Sequence, residues 1–127
     1  RFVGALPDGE KVALMRRCCA FVFPSNERSE AFGLSLVEAA MFARPMISTE
    51  ISTGTSYVNF DGETGLVVPP NDAQALAAAM NEILRAPERA EQWGASARGR
   101  YLDLFTAEAM GQRYCALYTR LLTQGRG

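Results

Sequence analysis

Histidine is absent from the 127 residues. That removes imidazole general acid–base chemistry, Ser-His-Asp and Cys-His nucleophile systems, and most catalytic zinc sites. Cysteine is scarce: Cys18, Cys19 and Cys115. Adjacent cysteines are poorly placed to bridge each other, and the odd count has no framework spacing. Cys18 and Cys19 follow a helical pattern and are expected to be buried free thiols. Such usage fits a reducing compartment, so a cytoplasmic protein is expected. No basic run exists and the net charge is −1, so no nucleic-acid partner is expected. No apolar stretch approaches the ~20 residues that span a bilayer. The length allows one domain with a real core, fed by a composition that is 48% hydrophobic. The chain opens on Arg1-Phe2-Val3-Gly4 without an initiator methionine, and we expect it to be a piece of something longer.

What is present is an alternation of short apolar runs with helical patterns. Phe2-Val3-Gly4 reads as a strand remnant, and Pro7-Asp8-Gly9 turns the chain. Glu10 to Cys19 is helical, with Val12, Met15 and Cys19 on one stripe. Ala20-Phe21-Val22-Phe23 is a buried strand that ends at Pro24. A polar loop leads to a helix with Leu36, Val37, Ala40 and Met41 inward, stopped at Arg44-Pro45. Met46-Ile47-Ser48 is a third strand. Ser52-Thr53-Gly54-Thr55-Ser56 follows as a loop at its carboxyl end, where open α/β sheets bind ligands. Its Gly54 and Thr55 can donate to phosphate or sugar hydroxyls, or belong to an ordinary surface loop. Asp61-Gly62-Glu63-Thr64-Gly65 is a turn, and Leu66-Val67-Val68 a fourth strand closed by Pro69-Pro70. Asp72 caps a helix with Leu76, Met80, Ile83 and Leu84 inward. Pro87 opens another as its first residue, with Ala90, Trp93, Ala97 and Tyr101 on one face. Trp93 at that spacing is core and not a stacking platform. Thr106 caps the last helix, whose stripe is Met110, Tyr114, Leu117, Tyr118 and Leu121. Strands alternating with helices imply an α/β fold: a Rossmann-like parallel sheet with helices on both faces.

The richest window is Pro24 to Ala40, where a strand, a loop and a helix start come together. The first N–H groups of a helix lack internal partners and so attract anions. Gly33 lets a diphosphate approach the backbone of Phe32, Gly33 and Leu34. From Gly33 to Glu38 the rise is about 7.5 Å at ~1.5 Å per residue, a reach from phosphate to ribose. A carboxylate accepts two hydroxyls well. Glu30 lies on the loop side, where a sugar on the far phosphate would sit. The same residues also describe an ordinary helix start whose Glu38 is simply solvated.

Glu30, seven intervening residues and Glu38, with Phe32-Gly33-Leu34 between and Pro24-Ser25 before, resemble the signature of the glycosyltransferase group 1 family (family 4). The later block Asp61-Gly62-Glu63-Thr64-Gly65-Leu66-Val67-Val68-Pro69-Pro70, with Asp72, is similar to that family's second block. The resemblance covers nearly the whole chain. It implies a retaining enzyme of the GT-B fold that uses nucleotide-diphosphate sugars, active in surface polysaccharide or glycan biosynthesis. The chain would be the second half of the donor-binding, carboxyl-terminal domain, its residues 88–123 packing outside it or toward an amino-terminal domain that holds a saccharide or lipid-linked acceptor. Glu38 would hold the ribose, the backbone at Phe32-Gly33-Leu34 would meet the diphosphate, and Glu30 would touch the donor sugar near the reacting carbon. Ser25, Gly54 and Thr55 would complete the donor site. No metal and no cofactor besides the donor are expected, and the leaving diphosphate would help accept the acceptor's proton. The parent could associate with the inner face of the cytoplasmic membrane.

Some positions depart from the family pattern. Ala43 stands where the family often has glycine, and Thr53-Gly54-Thr55-Ser56-Tyr57 replaces Gly-Gly-x-Pro-Glu, so Tyr57 lacks the carboxylate. The family's basic residues for the diphosphate lie upstream of this stretch, and near the turn only Arg28 and Arg44 offer positive charge. The four strands would be the last four of six in the order 3-2-1-4-5-6, so Phe2-Val3 and Phe21-Val22-Phe23 would not be neighbours. An exposed edge at Phe21-Val22-Phe23, or self-association to cover it, is the expected consequence. A catalytically silent nucleotide-binding or scaffold module on the same fold is the alternative. A dehydrogenase half would want G-x-G-x-x-G after the first strand, and Phe2-Val3-Gly4-Ala5-Leu6-Pro7 does not supply it.

Overall fold

The computed structural model describes residues 2–124. Three short parallel strands form the sheet: β1 (Phe21–Phe23), β2 (Met46–Thr49) and β3 (Gly65–Val68), in the order β1-β2-β3. Phe21 pairs with Met46 and Met46 with Gly65, so the strands run nearly level. Around them lie α1 (Asp8–Arg17), α2 (Leu34–Met41), α3 (Thr55–Val58), α4 (Ala73–Arg85), α5 (Pro87–Arg100), a π-helical turn (Tyr101–Phe105) and α6 (Ala107–Gln124).

Strand alternation sorts the side chains into two cores. Phe21, Phe23 and Met46 face one core with Met15 of α1, Leu36, Ala39 and Ala40 of α2, Val58 and Ala97. Val22, Ile47, Leu66 and Val68 face the other, against Ala79 and Ile83 of α4 and Ala90 and Trp93 of α5. Every residue of β2 is buried, as the central strand of a sheet covered on both faces should be. Helix α5 serves both cores, its first half in one and Ala97 in the other. It passes the end of α2 so closely that a Cβ on Gly94 would lie 2.3 Å from the Ala43 carbonyl oxygen.

Local signals hold where the chain supplies both partners. The Asp72 carboxylate accepts from the Ala75 N–H at 2.8 Å, Pro87 opens α5, and the Thr106 hydroxyl accepts from the Ala109 N–H at 3.1 Å. Trp93 is core, donating its indole N–H to the Gly62 carbonyl at 2.8 Å.

Five expectations are corrected. Phe2-Val3-Gly4 is not a strand: it has no pairing partner among the described residues, Gly4 sits at φ 67°, and Phe2 and Val3 are exposed. The sheet therefore has three strands, and β1 is an edge that pairs only with β2 among the described residues. Cys19 is exposed and Cys18 only half-buried, because α1 stops at Arg17 and its stripe does not reach them. Burial still raises the Cys18 pKa, partly offset by the Arg44 guanidinium. In α2, Met41 is exposed and Ala39 takes the inward place. In α4, Met80 and Leu84 are exposed, because the small Ala79 lets the helix approach the sheet along the line to Ile83. Finally, no residue of α6 is buried; Met110, Tyr114, Leu117, Tyr118 and Leu121 form a stripe with no cover among the described residues.

Candidate functional site

The loops after β1 and β2 leave the same end of the sheet, as parallel topology requires, and meet at the start of α2. Gly33 precedes that helix in a left-handed conformation (φ 80°, ψ 59°) that glycine adopts without strain. It has no room for a side chain either: a Cβ there would lie 2.9 Å from Leu36 Cδ1 and 3.3 Å from Thr55 Cγ2. The second loop is tied to the first by the Gly54 N–H, which donates to the Ala31 carbonyl at 2.8 Å. A Cβ on Gly54 would strike the Phe32 ring at 2.7 Å, so that glycine too is required by close approach.

Glu30 turns inward on its own loop. Its Oε1 accepts from the Gly33 N–H at 2.8 Å and from the Phe32 N–H at 3.4 Å. An anionic oxygen thus already lies on two of the amides expected to face a diphosphate. The N–H groups of Leu34 and Ser35, next along the helix start, have no hydrogen-bond partner among the described residues. Glu38 lies further along α2, about half exposed, and its Oε1 accepts from Lys11 Nζ at 3.3 Å.

The structure brings Glu30, Phe32, Gly33, Leu34, Gly54 and Thr55 together. Thr55 is fully buried, with its hydroxyl 3.3 Å from that of Thr53. It opens α3 with its methyl group packed under the turn, 3.3 Å from where a Cβ on Gly33 would lie. Ser25 sits just past β1, where its carbonyl accepts from the Thr49 hydroxyl and joins the ends of β1 and β2. Arg44 is corrected: it lies at the far end of α2, donating to the Phe42 carbonyl at 2.8 Å and the Cys18 carbonyl at 3.1 Å. Among the described residues the cation paired with Glu38 is Lys11, which sequence reasoning missed. Nothing in the local pattern ties residue 11 to residue 38. Behind the second loop, Glu50 accepts from the Ser56 hydroxyl and the Ser52 N–H, each at 2.7 Å, and these bonds lower its pKa below the usual carboxylate range. Among the described residues no cluster of His, Cys, Asp and Glu is arranged to hold a metal, and no helix is long and apolar enough to cross a membrane.

Beside the turn runs an apolar groove of about 540 Å³, lined by Phe32, Leu34 and Val37 on one side and by Phe105, Met110 and Tyr114 among others on the opposite side. Sequence reasoning missed Phe105 as well. The only signal was that the α5 stripe, read as ending at Tyr101, continues one turn to it.

The fold, a parallel three-stranded sheet flanked by helices, is shared with glycosyltransferases of the GT-B architecture. The chain belongs to one family within that architecture, "Glycosyl transferases group 1", whose profile matches residues 1–100. It is 50% identical over 121 residues to the O-antigen chain mannosyltransferase C of Escherichia coli, a match that covers 95% of this chain and 33% of that protein. The chain therefore spans about a third of that relative's length. In three dimensions it resembles a sucrose-phosphate synthase from Thermosynechococcus elongatus (TM-score 0.81, 36% identity, 98% of this chain and 30% of that one). It also shares its fold with Anabaena HepE, solved in complex with UDP-glucose (TM-score 0.75, 20% identity, 84% of this chain and 29% of that one).

Proposed function

We propose that this chain is the donor-binding part of a retaining family 4 glycosyltransferase, which moves a sugar from a nucleotide diphosphate to a saccharide or lipid-linked acceptor during surface polysaccharide synthesis. The observation that carries this reading is the turn at the start of α2, where a carboxylate oxygen already rests 2.8 Å from the Gly33 N–H. An oxygen anion fits there, and a diphosphate oxygen is the natural exchange for it. On donor binding Glu30 would leave the Phe32 and Gly33 amides to the diphosphate and turn to the sugar near the reacting carbon. The Leu34 N–H and the positive end of α2 would add to the stabilisation of the leaving group. Glu38 would exchange the Lys11 ammonium for the ribose hydroxyls. Gly54 and the carbonyl end of β1 at Ser25 would shape the sides of the site, with no metal and no cofactor needed.

The acceptor would be held by the remainder of the protein, packed toward the helices of residues 88–123. The enzyme would act in the cytoplasm or at the inner face of the cytoplasmic membrane. The similarity to an O-antigen mannosyltransferase supports the surface-glycan role, and the fold shared with a UDP-glucose complex supports a nucleotide-sugar donor. The alternative, a silent nucleotide-binding module, draws on one observation: both carboxylates are partnered within the chain, Glu30 by amides and Glu38 by Lys11.

The test is transfer by the full-length protein from GDP-, UDP- and ADP-linked sugars to saccharide acceptors, with the anomeric configuration of the product read by NMR. Transfer with retention is expected. Binding without transfer would establish the silent module, and transfer with inversion would remove the retaining assignment.

A further inference from the structure

The corner between α5 and α6 touches both loops of the site. A π-helical turn, Tyr101–Phe105, closes the helical run of α5 before Thr106, which is extended (φ −75°, ψ 157°) and caps α6. Such turns hold more residues per turn, so four residues on from Tyr101 the side chain is rotated by roughly 70° from its α-helical direction. That rotation delivers Phe105 onto two rings at once. It meets Phe32 edge-on, with centroids 5.9 Å apart at 78°, and Tyr57 likewise, 5.9 Å apart at 87°. Phe32 lies between Glu30 and Gly33 in the first loop; Tyr57 follows Gly54 and Thr55 after the second. Arg100, one residue before the turn, donates to the Tyr57 carbonyl at 2.6 Å and lays its guanidinium over the Tyr57 ring at 5.6 Å. Arg98 donates to the Met41 carbonyl at the far end of α2, at 2.8 Å.

We propose that Phe105 is a positioning residue for the donor site: wedged between Phe32 and Tyr57, it sets where the Phe32–Gly33 amides and Glu30 lie. This rests on the donor-site reading for its catalytic consequence, but the mechanical half stands on the contacts alone. Phe32 is exposed at 36% despite carrying the loop that matters, so its ring has few other constraints than Phe105 and the Gly54 backbone. Edge-to-face pairs are individually modest, and the one on Phe32 suffices to bias its loop by up to about tenfold in population.

The test uses the full-length protein and the variants Phe105→Ala and Phe105→Tyr. The second keeps the ring, with the adjoining groove to take its hydroxyl. Amide hydrogen exchange is followed in peptides covering 31–36 and, as a control, 46–49. Donor KM, kcat and the melting temperature are measured alongside. We expect Phe105→Ala to speed exchange at 31–36 by about tenfold and leave 46–49 unchanged. It should also raise donor KM and lower kcat at temperatures well below melting, and Phe105→Tyr should restore the loop's protection. A lower melting temperature with unchanged exchange at 31–36 and unchanged donor KM would overturn the proposal. If exchange responds as expected but the unaltered protein shows no response to any nucleotide sugar, the wedge stands and the donor-site reading falls. If Phe105→Ala does not fold, Phe105→Leu replaces it with the same expected direction, and unchanged exchange at 31–36 again overturns the proposal.

Discussion

Replacing Glu38 with glutamine separates a binding role from a structural one. Among the described residues Glu38 has one ionic partner, Lys11, at 3.3 Å, and their side chains are 44% and 46% exposed. A pair that open to water is worth about 0.2–1 kcal/mol, and glutamine is nearly as good a helix former as glutamate. Glu38→Gln should therefore lower unfolding stability by less than about 1 kcal/mol. If the carboxylate accepts ribose hydroxyls, its loss should weaken nucleotide binding by about 1–3 kcal/mol, because hydrogen bonds to a charged group are stronger than neutral ones. That is roughly 5- to 150-fold in Kd. Calorimetric titration of the full-length protein with nucleoside diphosphates and their sugars reads the second quantity, and urea unfolding reads the first. Free nucleotide and nucleotide sugar should suffer alike, since both carry the ribose. Lys11→Met should cost at least as much stability as Glu38→Gln, because Lys11 also lies 3.9 Å from the Asp8 carboxylate in its own helix. Unchanged Kd in Glu38→Gln would make Glu38 a surface residue whose only role is the ion pair, and the ribose assignment would be wrong.

Glu30→Gln should lower kcat far more than it weakens nucleoside diphosphate binding, because only interactions strengthened in the transition state act on the chemical step; steady-state kinetics beside calorimetry would show this, and equal losses in both would move Glu30 away from the sugar. Ala43 sits at φ 54°, which costs an L-residue ~1–2 kcal/mol, so Ala43→Gly should raise stability by about 0.5–1 kcal/mol after the unfolded-state entropy of glycine is subtracted. Urea unfolding checks this, and a loss of stability would show that the conformation carries no strain. Glu50 has its pKa lowered by the Ser56 hydroxyl and the Ser52 N–H. Its contribution to stability is therefore fully present above the ordinary carboxylate value and is lost as pH falls through the lowered folded-state value. Ser56→Ala should shrink that acid-side loss, and identical pH–stability curves would show that the hydroxyl does not hold the carboxylate.

Legibility followed the range of the interactions. The Asp72 and Thr106 caps and Pro87 at the start of α5 depend on neighbours within a few residues, and each was readable as such. The joining of the Phe32–Gly33 turn to the Gly54 loop could be anticipated, because parallel strands send both loops to one end of the sheet. Contacts set by how helices are placed were not readable. Lys11 reaches Glu38 across 27 positions, and Arg44, adjacent to α2 in sequence, turns to the end away from the site. Phe2-Val3 shows the complementary failure: an apolar, β-branched stretch is a strand only when a neighbouring strand supplies its hydrogen bonds. Helix α6 has a regular apolar stripe that predicts burial, yet among the described residues nothing covers it. The π-helical turn has no simple sequence signature, and with it went the position of Phe105.

The central claim, that the start of α2 is the seat of a donor diphosphate, is tested most directly by a crystal structure of the full-length protein with a bound nucleoside diphosphate. The account predicts phosphate oxygens within hydrogen-bond distance of the Gly33 and Leu34 N–H groups, the ribose on Glu38, and Glu30 released from the Gly33 amide. A nucleotide bound elsewhere, with Glu30 still on Gly33 and Lys11 still on Glu38, would contradict it.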